Sequence, residues 1–167
     1  ANNLNDISKD NPEIVLELCE KWQGSSERTD WIIKHGCRTL LKSGNVRAML
    51  LFGFGDPSHL NIKDLMIEKS SLAIGEDQKF TFLLEVNEKG PCNIRLEYAV
   101  GYVKSTGKIS AKIFQISEKI YQPGEYKIAR KQTFVNMSTR KHYAGTHSIT
   151  IIVNGVEKAT EHFALHN

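Results

Sequence analysis

The sequence predicts a two-segment protein, in which a short α-solenoid of helices is followed by an all-β, immunoglobulin-like sandwich. Over the first 55 residues the apolar side chains recur at steps of three and four, the spacing of a buried helix face. In the rest of the chain they alternate, which is the spacing of half-buried strands. Between the two patterns lies "GFGDPSHLN", Gly53–Asn61, with two glycines, one proline and no apolar period. We therefore expect a helical segment over residues 1–55 and a sandwich over residues 56–167.

The first complete helix is predicted to begin at Asn11-Pro12, where an N-cap residue precedes a proline in the first turn. Gly24 ends it. Its apolar face carries Ile14, Val15, Leu18, Cys19 and Trp22.

The second predicted helix lies within "RTDWIIKHGCRTLLKSGN", Arg28–Asn45. Either Thr29 or Asp30 caps its start, and Gly44 ends it. Cations recur every four residues, which lines them along one side of the helix; they are Lys34, Arg38 and Lys42. Trp31 and His35 stand one turn apart beside this row.

A third, shorter helix is predicted after Asn45, which caps it. Its apolar positions are Val46, Met49, Leu50 and Phe52. The alternation of helix and turn is typical of an α-solenoid repeat. Because a single helix pair cannot bury both of its faces, another element must cover the open one.

Seven strands are predicted in the second segment. They are Asp64–Ile74, Lys79–Asn87, Cys92–Lys104, Ile109–Ser117, Gly124–Phe134, Thr146–Val153 and Glu157–Leu165. Asn154-Gly155 lies between two alternating runs and predicts a two-residue hairpin. Seven short strands with no helix and no disulfide pair indicate an immunoglobulin-like sandwich.

Charge is distributed unevenly along the chain, although the formal net charge is only +3. Residues 1–57 hold 7 Lys and Arg against 8 Asp and Glu, and residues 58–167 hold 15 against 11. Within Gly124–Tyr143 the only acid is Glu125, and the cations are Lys127, Arg130, Lys131, Arg140 and Lys141. A local basic cluster fits contact with a polyanion, and equally a solvated loop.

The number of cysteines and the hydropathy of the chain indicate which cellular compartment to expect. The three cysteines are an odd number and show no metal-binding spacing, so we expect reduced thiols in the cytoplasm and no metal site. No apolar run has the length of a membrane span, and the start "ANNLNDISKDN" is too polar for a secretory signal.

Three stretches resemble the bacterial DNA alkylation repair proteins: "LNDISKDNP", "TDWIIKHGCRTLLKSG" and "MSTRKHYAG". More narrowly, they are similar to the AlkC type of alkylpurine DNA glycosylase, which is built of HEAT-like helical repeats. One branch of that family has an immunoglobulin-like domain at its C-terminus. The resemblance covers the whole chain. It implies that the chain is the C-terminal part of a protein about twice its size, and that "ANNLNDI" is the end of a helix.

The resemblance implies a DNA N-glycosylase, a hydrolase that releases cationic alkylated purines such as 3-methyladenine without a metal or organic cofactor. The expected partner is double-stranded DNA with alkylated bases, bound along the concave face that the second helix of each repeat lines. A carboxylate beside the damaged nucleoside would stabilise the positive charge that grows on the sugar. We expect a monomer, and we expect this chain to be inactive without the remaining repeats.

Asp6 is the candidate catalytic carboxylate, because the resemblance places an acidic residue near this point on the DNA side. It follows Asn2, Asn3 and Asn5, an unusually polar set for a helix interior. The alternative is that Asp6 merely ends its helix, helped by Ser8.

The cation row of Lys34, Arg38 and Lys42 is expected to meet DNA phosphates, with His35 as a hydrogen-bonded spacer or phosphate donor. The alternative is a solvated face. Trp31 has two open interpretations, since it could stack on a base or sugar, or pack against Trp22 under the preceding helix.

In the β segment, the loop with Arg140, Lys141 and His142 is expected to enter a DNA groove. For Tyr143 the favoured interpretation is a brace that ties the loop to the sandwich. The competing function is a non-catalytic scaffold, in which the helical repeat and the immunoglobulin-like domain bind other proteins. The basic row, the basic loop and the resemblance favour the glycosylase.

Overall fold

The computed structural model describes every residue from Ala1 to Asn167, and the chain divides into two compact units. The first unit is residues 1–55 together with the short turn 154–156. The second unit is residues 56–153 and 157–167. None of the helices has the length and apolar character that crossing a membrane requires.

Five short helices form the first unit. They are α1 (Asn2–Asp10), α2 (Pro12–Trp22), α3 (Glu27–Gly36), α4 (Arg38–Lys42) and α5 (Val46–Leu51). The start of α2 at Pro12 and the cap of α5 by Asn45, whose Oδ1 accepts the Ala48 N–H at 2.9 Å, confirm the sequence-based predictions. The predicted cap of α3 is wrong, because Ser26 rather than Thr29 or Asp30 caps it. The Ser26 Oγ accepts the Thr29 N–H at 3.1 Å.

Sequence periodicity predicts one helix from residue 28 to 45, whereas the structure breaks it at Cys37 into α3 and α4. The buried Asn5 of α1 explains the break, because its Oδ1 accepts the Thr39 N–H at 3.1 Å. The carbonyl of His35, which would accept that N–H in a continuous helix, instead accepts a bond from Arg38 Nη1 at 2.8 Å. The Asn5 side chain of α1 therefore takes the place of the intrahelical acceptor at the start of α4.

The core of the first unit consists of the inner faces of α2 to α5 and the residues that follow α5. Its buried members are Val15, Leu16, Cys19, Ile33, Cys37, Leu40, Leu41, Ala48, Met49 and Phe54. The Cys19 and Cys37 sulfurs lie 3.6 Å apart as free thiols. Burial of these apolar side chains, at roughly 25 cal/mol per Å², is the main force that holds the helices together.

The second unit contains eight strands. They are β1 (Leu60–Ile67), β2 (Ser71–Ala73), β3 (Asp77–Val86), β4 (Cys92–Val103), β5 (Ile109–Tyr121), β6 (Gly124–Thr133), β7 (Gly145–Val153) and β8 (Val156–His166). One sheet has the order β1-β3-β6 and the other β2-β8-β7-β4-β5. Between the sheets lies the core, where the alternating apolar side chains of β3, β4 and β7 meet.

The predicted strand from residue 64 to 74 is two strands in different sheets. β1 pairs antiparallel with β3, and β2 pairs parallel with β8. Asp64 has a positive φ of 51°, and the register shifts between Lys63 and Met66, so β1 contains a bulge. The predicted hairpin turn is confirmed, because Asn154 and Gly155 join β7 to β8 with φ values of 45° and 80°.

Candidate nucleic-acid interface

Asp6 lies inside α1, which continues to Asp10, so the carboxylate does not end its helix. Its side chain is 65% exposed, and Oδ1 lies 2.8 Å from the Lys9 Nζ. The hydrogen bond and charge of Lys9, with a smaller contribution from the charge of Arg38, hold the pKa of Asp6 below its usual value. Asp6 is therefore a solvent-facing, ionised carboxylate.

Arg38 follows the break between α3 and α4, and this break turns its side chain toward α1. Its Nη2 lies 3.4 Å from the Asn2 Oδ1, and its Nη1 is fixed by the His35 carbonyl. Close packing of α1 on α3 supports this arrangement, since a Cβ at Gly36 would lie only 2.6 Å from the Leu4 side chain. The contact with Asn2 thus places Arg38 beside α1, the helix that carries Asp6, although the two residues are far apart in sequence.

Trp31 is 63% exposed, so it does not pack beneath the preceding helix. Its ring stacks on His35 with 5.1 Å between the centroids and 8° between the planes. The second ring holds the indole in one orientation, and a flat exposed indole can stack on a nucleobase. Beside it lies an open cleft of about 510 Å³, lined by Lys34 and Leu50 among others.

The three cations of the predicted row are divided between two helices. Lys34 places its Nζ 5.5 Å from the centre of the Phe54 ring, whereas Arg38 turns to α1. Lys42 is exposed in α4. The break at Cys37 is the physical reason, because it assigns Lys34 to α3 and the other two cations to α4.

In the β unit, the candidate loop is residues 134–144, between β6 and β7. Met137 and Arg140 exchange two backbone hydrogen bonds, of 2.8 and 3.1 Å, which close a tight turn. The Asn136 Oδ1 accepts the His142 N–H at 2.8 Å. These bonds give the loop one defined shape.

Arg140 and Lys141 differ in how they are held. The Arg140 guanidinium lies over the Tyr102 ring, 5.4 Å from its centroid, and Nη1 lies 3.4 Å from the Tyr102 oxygen. Lys141 is exposed at the surface of the loop. Tyr143 is 36% exposed.

The structure places His142 inside the end of the sandwich, where the residue is only 6% exposed. Its ring packs against Tyr102 and Phe134, and its Nε2 is buried without a hydrogen-bond partner. Burial first, then the charge of Arg140, lowers the pKa of His142, so the ring is neutral at neutral pH. In this geometry His142 supports the loop from below, whereas the sequence analysis placed it on DNA beside its neighbours.

Two residues of this region, Tyr102 and His147, were missed by the sequence analysis. Tyr102 has the same parity in β4 as the buried Tyr98 and Val100, and His147 has the same parity in β7 as the buried Ile149. Strand alternation therefore predicts that both residues lie on the core face of their sheet, but the loop above them is evident only from the fold.

The chain therefore joins a helical unit, which carries a carboxylate and several cations, to an immunoglobulin-like unit with a basic, hydrogen-bonded loop. The chain belongs to the family described as "Uncharacterised protein YhaZ, C-terminal Ig-like domain", whose model matches residues 61–167. This match confirms the immunoglobulin-like assignment of the β segment.

Two similar proteins extend over nearly the whole chain. The uncharacterized protein YhaZ of Bacillus subtilis (strain 168) is 40% identical over 159 residues, which are 95% of this chain and 44% of that protein. The structure of Pseudomonas fluorescens alkylpurine DNA glycosylase AlkC, bound to DNA containing an abasic site analog, matches with a TM-score of 0.93 and 39% identity. That match covers 99% of this chain and 46% of the AlkC chain. The chain therefore spans less than half the length of either protein.

A more distant similarity concerns the fold alone. A β-glucosidase from Erythrobacter marinus matches with a TM-score of 0.53 and 7% identity, over 64% of this chain and 15% of the other. The similarity to AlkC, in contrast, confirms the resemblance that the three sequence stretches indicate.

Proposed function

We propose that this chain is the C-terminal part of a DNA alkylation repair glycosylase, which binds damaged duplex DNA and excises cationic alkylated purines such as 3-methyladenine. The observation that carries the proposal is the similarity to DNA-bound AlkC, which extends over 99% of the chain and both of its units. A scaffold that shared only the fold of AlkC would not need to share its sequence. The 39% identity across both the helices and the sandwich therefore favours the glycosylase over the scaffold.

The proposed chemistry rests on the carboxylate of Asp6. An alkylated purine that is already cationic is a good leaving group, so the barrier lies in the positive charge that develops on the sugar. A fixed carboxylate stabilises that charge electrostatically without a cofactor. Asp6 is suited to this role because Lys9 and Arg38 keep it ionised and its side chain faces solvent.

DNA contact is proposed at both units. In the helical unit, which we interpret as HEAT-like, the cations Lys34, Arg38 and Lys42 would contact phosphates, with His35 beneath the stacking ring of Trp31. In the sandwich, Arg140 and Lys141 would follow phosphates along a groove. His142 would act as the buried support of this loop.

Base release by the whole protein tests the proposal. Duplex DNA methylated at random would be incubated with the protein, and released purines would be separated by chromatography. We expect time-dependent release of 3-methyladenine and none of unmodified adenine. Binding of DNA with no release of any alkylated base would contradict the glycosylase and leave a binding protein.

A second candidate is the protein-binding scaffold, and one observation favours it. Large apolar side chains are exposed on α2 and α5; they are Ile14, Val46 and Leu50. If the whole protein releases no alkylated bases and also does not bind duplex DNA, the scaffold replaces the glycosylase as the proposed function.

A further inference from the structure

The guanidinium of Arg140 is anchored from below by Tyr102, and this contact has a consequence for DNA binding. We propose that Tyr102 is a positioning residue, which holds the face of the Arg140 guanidinium so that its free N–H edge is presented to a DNA phosphate. The inference rests on the proposed function, because it takes a DNA phosphate as the ligand of Arg140.

Tyr102 is itself closely packed. It is 94% buried, and its ring centroid lies 5.9 Å from that of Phe134, 5.5 Å from that of His142 and 6.2 Å from that of His147. Arg140 and Tyr102 belong to different parts of the chain, the loop and β4, so the contact ties the loop to the sheet. A ring packed on several sides cannot follow the loop if the loop moves.

The contact with Tyr102 uses only part of the guanidinium's hydrogen-bonding capacity. The group is planar and has five N–H donors in a fixed fork, and its Cζ lies over the Tyr102 ring. Nη1 is near the Tyr102 oxygen, at 3.4 Å, which leaves the remaining donors for an incoming oxyanion. A phosphate accepts two parallel N–H bonds from such an edge. An ammonium group in the same place could not be oriented in this way.

The backbone of the loop also helps to hold Arg140 in position. The two Met137–Arg140 backbone bonds and the His142–Asn136 bond fix the chain on both sides of Arg140. Ordering one rotamer-rich side chain at an interface opposes binding, and here folding has already ordered it. Releasing Arg140 from Tyr102 should therefore weaken DNA binding by about 2- to 10-fold.

The first arm of the test requires no DNA. In ¹⁵N NMR of the chain, the Arg140 Nε–H proton should be shifted upfield by the ring current of Tyr102. Tyr102→Leu should remove the shift, and Tyr102→Phe, which keeps the ring, should retain it. Tyr98→Leu is the matched control, since Tyr98 is similarly buried on the same face of β4 but bonds to Gln132.

The second arm measures binding to a duplex with an abasic-site analogue at several salt concentrations. Arg140→Ala should lower the salt slope by about 0.9, the value of one phosphate contact. Tyr102→Leu should weaken binding 2- to 10-fold with the slope unchanged, since the charge remains, and should have no further effect when added to Arg140→Ala. Arg140→Lys, which keeps the charge at this half-buried loop position, should give the same loss as Tyr102→Leu, whereas Lys141→Arg should give none.

The outcomes separate the two proposals. If Arg140→Ala weakens binding but Tyr102→Leu and Arg140→Lys do not, the positioning role is wrong and DNA binding stands. The same conclusion follows if Tyr102→Leu has equal effects with and without Arg140, or if the upfield shift is absent. If the wild-type whole protein does not bind the duplex at all, the proposed function fails, and the positioning role fails with it.

Discussion

Asp6 is the residue on which the proposed chemistry depends, and a conservative substitution isolates its charge. In the whole protein, Asp6→Asn should lower the rate of base excision by roughly 10²-fold or more, the scale of losing one preorganised electrostatic contact. DNA affinity should stay nearly unchanged, because the substitution removes no phosphate contact. Single-turnover base release and a binding titration measure the two quantities separately.

A second acid on the same helix provides the control for this substitution. Asp10→Asn removes one negative charge from the end of α1, where the side chain is also exposed. It should leave excision near the wild-type rate. Equal effects of the two substitutions would assign Asp6 a general electrostatic role only.

Two buried histidines should make the stability of the sandwich depend on pH. Burial lowers the pKa of His142 and of His147 below the ordinary value of 6.5. As the pH falls, these histidines are protonated at a higher pH in the unfolded chain than in the folded chain. The free energy of unfolding is therefore at its full value above pH 6.5 and decreases as the pH drops below it. For each unit by which a pKa is lowered, the loss is on the order of 1 kcal/mol. Carboxylates contribute only nearer pH 4.5 and below, so urea unfolding at pH 7.5 and 5.5 isolates the histidines.

Replacement of one of these rings tests the assignment. His142→Phe keeps an aromatic ring among Tyr102 and Phe134 and removes the titrating group, so the difference in stability between pH 7.5 and 5.5 should shrink. His162→Gln, at an exposed position of β8, should leave the difference unchanged. An undiminished pH dependence in His142→Phe would assign the effect to other groups.

At the scale of elements, a buried ion cluster joins β4 to β5. Arg95 Nη2 lies 3.0 Å from the Glu97 Oε2, and Nη1 lies 2.5 Å from the Glu118 Oε1. The side chains of Arg95 and Glu97 are almost wholly buried. Arg95→Leu would leave a buried carboxylate without its cation, and should lower the free energy of unfolding by about 3–5 kcal/mol. Breaking the exposed Lys131–Asp77 pair with Lys131→Ala should lower it by less than about 1 kcal/mol.

The basic loop is an element whose two cations can be tested together. Replacing Arg140 and Lys141 by alanine should weaken DNA binding about equally across sequences and flatten the salt slope by about one to two units. The control replaces Lys119 and Lys127, which removes the same charge away from the loop. Lys127 lies opposite Leu83, whereas Thr133, which precedes the loop, lies opposite Asp77. Lys119 lies opposite Ile94, whereas Tyr102 beneath the loop lies opposite Ser110 at the other end of the β4–β5 ladder. An equal change in the control would show that only net charge matters.

The elements also show where sequence reasoning succeeds. Alternation locates most strands to within a few residues, and Asn154-Gly155 fixes a hairpin, because these signals are local. The division of residues 64–74 between two sheets and the break at Cys37 depend on β8 and Asn5, which are distant in sequence. Composition shows that Arg140 and Lys141 are cations, but Tyr102 became evident only when the fold brought it under the loop.

At the scale of the whole molecule, the chain should lack glycosylase activity of its own. Extrusion of a damaged base requires an enclosing pocket, and the chain covers only 46% of the AlkC chain that it matches. Incubation of residues 1–167 with methylated DNA should release no measurable 3-methyladenine, under conditions in which the whole protein does. Robust release would show that the rest of the protein is dispensable and that Asp6 has a complete site around it.

The long edge strand β5 has a consequence for behaviour at high concentration. Its thirteen residues pair with β4 on one side, and an open strand edge is a template on which a second copy can add and begin an aggregate. Lys112 and Lys119 lie over the rings of Phe114 and Tyr121 on the same strand, which keeps their charges at the edge. In an antiparallel pairing of two copies that sets Lys112 opposite Lys119, like charges would meet, so we expect charge repulsion to disfavour self-association in that register.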